Sequence, residues 1–167
     1  QNVVVADKAG NIGWYPSSYV PNRPWASPEL APWLPLPGDG SAEWDGFVQH
    51  ADLPQAHNPA NQAIATANND MSGANWDLDP TNDGQAAIMS FPASGFRHQR
   101  IIERLEMGGA AHSVETMKSI QADVHSSYGE LLTPLILEGL GDAELTPAAQ
   151  KVRDALAAWD FECPTGL

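Results

Sequence analysis

The chain is poor in cysteine and in basic residues, and it has no long apolar run. A single cysteine, Cys163, excludes an internal disulfide and leaves the redox compartment open. Eight Lys and Arg residues stand against 21 Asp and Glu residues, for a net charge of −13. Because nothing resembles a basic patch, nucleic acid is not an expected partner, whereas a cation is. No apolar run approaches the ~20 residues that a membrane-spanning helix needs.

Several common catalytic and metal motifs are also absent. The five histidines have neither H-x-x-x-H nor H-x-H spacing, and one cysteine cannot build a thiolate zinc site. There is no G-x-S-x-G elbow, although spacing alone does not exclude a Ser-His-Asp triad. Gly10-x-x-Gly13 lacks the Lys-Ser/Thr of a phosphate loop. Zinc and nucleotide chemistry are therefore not expected.

The first part of the chain, residues 1–94, is composed of strands and loops. Val3–Ala6 and Ile12–Tyr15 are short apolar runs separated by a turn, which predicts a β-hairpin. Pro16–Gly40 is dense in proline and glycine, so neither a helix nor a central strand is expected there. Its large aromatics, Tyr19, Trp25 and Trp33, predict a surface loop that they hold against the rest of the chain.

The second part, residues 95–167, has helical periodicity. Phe96–Met107 is predicted to be a helix, followed by one that begins after Ser113 and is kinked or ended near Pro134. Thr146-Pro147 predicts the start of a third helix, which reaches Trp159. Strands that precede helices, rather than alternate with them, predict an α+β class for this 167-residue chain.

A stretch between His57 and Asp70 carries the clearest candidate chemistry. Small and β-branched residues at 63–67 predict a short strand, which ends on Asn68 and Asn69. Two amides at the end of a buried strand are neutral donors that could stabilise a developing oxyanion. The alternative is that these asparagines only turn the chain, as asparagine commonly does after strands.

Two charged groups also invite functional interpretation. Asp77, Asp79 and Asp83 could supply hard oxygen ligands to calcium, although the spacing is not that of an EF-hand. The alternative is a solvated loop with Asx turns. Arg97 and Arg100 share a face at a helix N-terminus, where they oppose the macrodipole. Either a specific carboxylate or backbone partner explains them, or they are ordinary exposed arginines.

Taken together and in order, several stretches match one family. They are Q-N-V-V-V-A-D from Gln1 with G-N-I-G from Gly10, L-P-L-P-G from Leu34, W-D-G-F from Trp44, N-P from Asn58 with I-A-T-A-N-N from Ile64, R-x-x-R-I from Arg97 and I-Q-x-D from Ile120. The ordered set covers nearly the whole chain. It resembles the β chain of the penicillin amidases (penicillin acylases), which are N-terminal nucleophile hydrolases.

The resemblance implies a four-layer αββα enzyme that cleaves itself into α and β chains in the periplasm or outside the cell. A serine at the start of the β chain attacks the amide, with its own α-amino group as base. Asn68 matches the family's oxyanion asparagine, and Arg97 matches an arginine that orients the N-terminus and this asparagine. Asp79 matches a carboxylate ligand, and Pro32 a backbone-carbonyl ligand, of the family's structural calcium.

One departure from the family pattern concerns the nucleophile. The first residue is Gln1, so we expect residues 1–167 to be an internal piece of the β chain that is inactive alone. Its expected partners are the rest of the β chain, the α chain and a small-molecule amide, whose acyl group the sequence does not reveal. Family substrates include β-lactam side chains and acyl-homoserine lactones. The alternatives are a non-catalytic, calcium-stabilised module on the same scaffold and a carbohydrate-binding module built on tryptophans.

Overall fold

The computed structural model describes residues 1–73, 77–88, 91–109 and 111–164, in two compact units, Gln1–His98 and Gln99–Leu167. The described residues form three strands, one 3₁₀ turn at His50–Asp52 and four α-helices. The strands are β1 (Asn2–Ala6), β2 (Ile12–Pro16) and β3 (Ala56–His57). The helices are α1 (Phe96–Met107), α2 (Val114–Gln121), α3 (Ser127–Leu140) and α4 (Pro147–Ala158).

The predicted hairpin is confirmed and forms most of an antiparallel sheet with the order β1-β2-β3. Val4 pairs with Trp14 across the hairpin, and Gly13 pairs with His57 on the other side of β2. Trp14 is 2% exposed, and its indole Nε1 donates to Asn2 Oδ1 at 2.7 Å. The central strand therefore carries the principal aromatic side chain of the core.

The proline-rich segment is an irregular loop, as predicted, and buried aliphatic residues, aromatic contacts and backbone bonds attach it. Val20 and Ala31 are buried, whereas Tyr19 is 88% exposed and its ring meets that of Phe47 edge-on at a centroid distance of 5.6 Å. The loop is joined to the segment around Phe47 by antiparallel backbone bonds, including Val48 N to Val20 O at 2.9 Å. Backbone pairing therefore adds to the contacts of the aromatic side chains, such as the hydrogen bond that Trp25 Nε1 donates to Glu43 O at 2.8 Å.

The predicted strand at residues 63–67 is wrong, because these residues belong to no strand in the structure. Their composition favours an extended chain, but a strand also needs a hydrogen-bonded neighbour. Both edges of β2 are already paired, one with β1 and the other with β3. Ala65 and Ala67 are nevertheless buried, so alternate residues still point inward as they would in a strand.

The helices begin and end near their predicted bounds, with one correction. The helix after Ser113 does not continue to Pro134: it ends at Gln121, and α3 begins after Ser126, whose Oγ accepts from Gly129 N at 3.1 Å. The side chain of Asp123 accepts from His125 N at 3.2 Å, and this local bond competes with helix propagation. Pro134 lies inside α3, which continues to Leu140.

The second unit buries little of its apolar surface. Its α3 packs against α4, and the ring of Trp159 lies where a Cβ at Gly129 would stand. Large apolar side chains are exposed along α2, α3 and α4, and they include Val114, Met117, Tyr128, Leu131, Leu135 and Val152. None of the described helices is long and apolar enough to cross a bilayer.

Candidate functional site

Asn68 and Arg97, the two predicted catalytic positions, are in contact within the first unit. Arg97 lies in the first turn of α1, and its Nη2 donates to Asn68 Oδ1 at 2.9 Å and to Ala67 O at 2.8 Å. The two residues are 29 positions apart in sequence. Of the two alternatives considered for Arg97, the structure therefore has the specific backbone partner.

The contact determines how the Asn68 carboxamide is oriented. A guanidinium has five N–H donors and no acceptor, so the carboxamide oxygen must face Arg97. The Nδ2 group consequently faces away from Arg97, and no acceptor for it is found among the described residues. Asn68 is exposed, so this N–H group is accessible. The arrangement offers an oriented, neutral donor with a cation behind it.

The backbone at Asn68 adopts the left-handed conformation, with φ of 58°. Non-glycine residues rarely adopt this conformation, and asparagine tolerates it better than most. Two bonds stabilise it: Ala93 N donates to Asn68 O at 2.6 Å, and Ala67 N donates to Asn69 Oδ1 at 3.0 Å. We refer to residues 67–69 with these bonds as the Asn68 turn.

The residues matched to calcium ligands are organised as a loop of Asx turns. Asp79 Oδ1 accepts from Thr81 N at 2.9 Å and Thr81 Oγ1 at 2.6 Å, while Asp77 Oδ1 accepts from Asp79 N at 2.9 Å. Hydrogen bonding by the Asn82 side chain holds the pKa of the Asp77 carboxyl below its usual value. The Asx turns that the sequence offered as the alternative to a calcium site are therefore present.

Asp79 and Pro32 fit a calcium site only as a minority of its ligands. Pro32 and Pro80, the neighbour of Asp79, line one cavity of about 120 Å³ in the first unit. No three His, Cys, Asp or Glu side chains converge within the part of the chain that the structure describes. Calcium takes six to eight oxygen ligands. Two oxygens are a minority of that number, so further carbonyl, side-chain or water oxygens would have to complete such a site.

A second polar cluster lies in the other unit and was not predicted as a pair. Arg100 donates to both Asp123 oxygens, from Nε at 3.0 Å and from Nη2 at 2.9 Å, and Arg104 Nε lies 3.4 Å from Asp123 Oδ2. The hydrogen bonds from Arg100 lower the pKa of Asp123. Of the alternatives left open for Arg100, which were a carboxylate partner, a backbone partner or plain exposure, the structure has the carboxylate partner.

His125 belongs to a cluster of titratable side chains that the sequence patterns do not predict. Its Nε2 lies 3.0 Å from Glu130 Oε2 and its Nδ1 lies 3.2 Å from Glu162 Oε1. The pKa of His125 is raised, chiefly by the hydrogen bond with Glu130. The spacing of these three residues gives no sequence motif, because Glu162 is 37 positions away.

Comparisons with known proteins agree on one family. The model of the penicillin amidase family matches residues 1–166. The penicillin acylase 2 proenzyme of Pseudomonas sp. (strain SE83) is 33% identical over 166 residues, which are 99% of this chain and 20% of that protein. The chain thus spans about one fifth of the length of this curated relative.

A solved structure gives the same result for the fold. The thermostable penicillin G acylase from Alcaligenes faecalis superimposes with a TM-score of 0.61 and 25% sequence identity. The match covers 99% of this chain and 28% of that chain. The predicted α+β class, as part of the N-terminal nucleophile hydrolase fold, is confirmed by this match.

Proposed function

Because the chain belongs to the penicillin amidase family, we propose that it is part of an amidohydrolase that cleaves linear amide bonds. The reaction releases a carboxylic acid and an amine. The contact of Arg97 with Asn68 is the single observation within the chain that best supports this proposal. In the sequence, only the resemblance to the family relates Asn68 to Arg97.

In this proposal, the nucleophile is an N-terminal serine that lies outside residues 1–167. Its α-amino group has an ordinary pKa of about 7.7–8.0 and can serve as the base near neutral pH. Attack on the amide carbonyl gives a tetrahedral intermediate with negative charge on oxygen. Asn68 Nδ2 donates a hydrogen bond to that oxygen, and Arg97 holds the carboxamide in the orientation that permits this.

The test is to remove the Asn68 carboxamide from the complete enzyme. Asn68→Gly tolerates the left-handed backbone, and Asn68→Ala does not, so the pair separates loss of the donor from backbone strain. Both variants are expected to lower kcat about a hundredfold or more, with little change in KM. Initial rates on a penicillin and on chromogenic anilides with graded acyl groups measure this. An unchanged kcat in Asn68→Gly would exclude Asn68 from the mechanism.

A structural calcium ion is the second part of the proposal. The Asp79 carboxylate and the Pro32 carbonyl would contribute two of its oxygen ligands, and the ion would stabilise the folded enzyme rather than take part in the reaction. Chelator is expected to lower the melting temperature of the complete enzyme, and Asp79→Asn is expected to abolish that response. An equal response in Asp79→Asn and in wild type would contradict Asp79 as a ligand.

The proposal extends to processing and location. The relative from Pseudomonas is named a proenzyme, which supports maturation by cleavage. We expect secretion to the periplasm or the medium, and no activity from residues 1–167 alone. Mass spectrometry of the expressed full reading frame should show two chains, and an uncleaved active product would contradict this.

A further inference from the structure

The Asn68 turn depends on a second carboxamide, that of Asn69. Asn69 Oδ1 accepts from Ala67 N at 3.0 Å, so the side chain reaches back across Asn68 to the preceding residue. Its Nδ2 lies 3.5 Å from Asp70 O and 3.4 Å from Met71 Sδ. Asn69 is half-buried, whereas Asn68 is exposed. The two neighbouring asparagines therefore occupy different environments and make different contacts.

The bond from Ala67 is costly to remove. Ala67 is 6% exposed, so its N–H cannot easily replace the Asn69 oxygen with water. A buried donor that loses its partner keeps the full cost of desolvation. The turn would relax to find another acceptor, and Asn68 lies between the two bonded positions. Relaxation would therefore move Asn68 itself.

Asn68 has few other constraints. Its carbonyl accepts from Ala93 N, and its side-chain oxygen accepts from Arg97, which also binds Ala67 O. Arg97 thus requires Ala67 O and Asn68 Oδ1 to lie together. The left-handed φ of 58° is what brings these two oxygens to one side, and the Asn69 bond spans that conformation.

We propose that Asn69 is a positioning residue for the oxyanion donor Asn68, and this inference rests on the proposed function. Asn69 does not touch the substrate. It holds the backbone of residues 67–69 so that Asn68 Oδ1 meets Arg97 and Asn68 Nδ2 is aimed at the developing charge. Displacement of a catalytic group by about 1 Å can cost a hundredfold in rate.

The experiment is a double-mutant cycle in the complete enzyme. Asn69→Ala alone is expected to lower kcat tenfold to a hundredfold with little change in KM. In the Asn68→Gly background, the same substitution is expected to change kcat by less than twofold, because the group that it positions is already gone. A residue that only supports folding would lower activity equally in both backgrounds.

The matched control is Asn61→Ala. Asn61 Oδ1 accepts from Ala63 N at 3.4 Å, so it is another asparagine that binds a backbone N–H two residues away, but it is exposed and makes no contact with the Asn68 turn among the bonds described. It is expected to leave kcat within twofold of wild type. If Asn69→Ala does not mature, Asn69→Ser replaces it in the cycle, since its hydroxyl is too short to span the turn.

The outcomes separate the two proposals. Loss of kcat in Asn68→Gly, with no loss in Asn69→Ala or with the same loss in both backgrounds, overturns the positioning role and leaves the proposed function intact. An unchanged kcat in Asn68→Gly overturns the positioning role together with the assignment of Asn68 as the oxyanion donor, whereas absence of amide hydrolysis by the wild-type complete enzyme would overturn the proposed function itself. A loss in Asn69→Ala that disappears in the Asn68→Gly background supports the positioning role.

Discussion

Arg97 and Arg100 lie one turn apart on α1 and make opposite kinds of contact. Arg97 donates to two uncharged oxygens, Ala67 O and Asn68 Oδ1. Arg100 makes a two-bond contact with the carboxylate of Asp123. No carboxylate lies within salt-bridge distance of Arg97 in the described part of the chain. The charge of Arg100 is therefore neutralised by a carboxylate, whereas the charge of Arg97 is not.

The difference indicates different roles for the two arginines. A paired guanidinium fixes structure, and its field is largely cancelled by the carboxylate. An unpaired guanidinium bound to an amide oxygen keeps its field and increases the polarity of the amide N–H. Arg97 therefore keeps a positive charge that no carboxylate among the described residues compensates. It suits a site where negative charge develops.

The largest expected effect comes from comparing two single variants of the complete enzyme, Arg97→Ala and Arg100→Ala. Arg97→Ala is expected to lower kcat about a hundredfold, because Asn68 loses the bond that orients it. Arg100→Ala is expected to lower the unfolding temperature but to leave kcat of the folded enzyme within about threefold. Initial rates and thermal unfolding measure the two effects. Equal losses of kcat in the two variants would remove the distinction.

The next effect concerns the stability supplied by Asp123. Asp123→Asn leaves Arg100 and Arg104 without their carboxylate and is expected to lower the free energy of unfolding by about 1–3 kcal/mol. Glu115→Gln is the matched control, because it removes an exposed ion pair with Lys118 at 3.0 Å. That control should cost less than about 0.5 kcal/mol. Urea titration of the complete protein measures both, and equal costs would contradict a structural role for Asp123.

The smallest effect is a pH dependence from His125. Its folded pKa is raised above the unfolded value near 6.5, chiefly by the hydrogen bond with Glu130 and also by Glu162, while desolvation and the charge of Arg100 oppose the shift. The stabilisation is therefore complete below that unfolded value and is lost as pH rises through the folded pKa. His125→Gln should weaken the dependence of the melting temperature on pH between pH 6 and 8, whereas His112→Gln should leave that dependence unchanged. A wild-type curve that rises across this interval would contradict the assignment.

Local sequence patterns predicted the parts of the fold that depend on neighbours in sequence. The hairpin and α1 follow from short-range periodicity, and Ser113 and Thr146 cap helices as expected. The strand at 63–67 was wrong because a strand requires a distant partner, which composition does not specify. The break between α2 and α3 was missed because it depends on Ser126 and on the side-chain bonds of Asp123.

The residues of the candidate site were predicted from the family resemblance and not from local sequence patterns. No residue pattern relates Asn68 to Arg97, 29 positions later, and only the resemblance to a family selected both. The roles of these residues, and of Asp79 and Pro32 as calcium ligands, stay predictions. The Asn69 bond to Ala67 was not foreseeable, because its importance depends on burial of Ala67 and on the φ of Asn68.

The left-handed backbone at position 68 also limits which amino acids can evolve there. Asparagine, aspartate and glycine are the residues that tolerate this geometry at modest cost. Glycine carries no side chain, and aspartate would place like charge against the intermediate. Under the proposed mechanism, asparagine alone satisfies both the geometry and the chemistry, so a saturation library at this codon should return wild type as its sole fully active member. Directed evolution of this enzyme would have to act on surrounding positions instead.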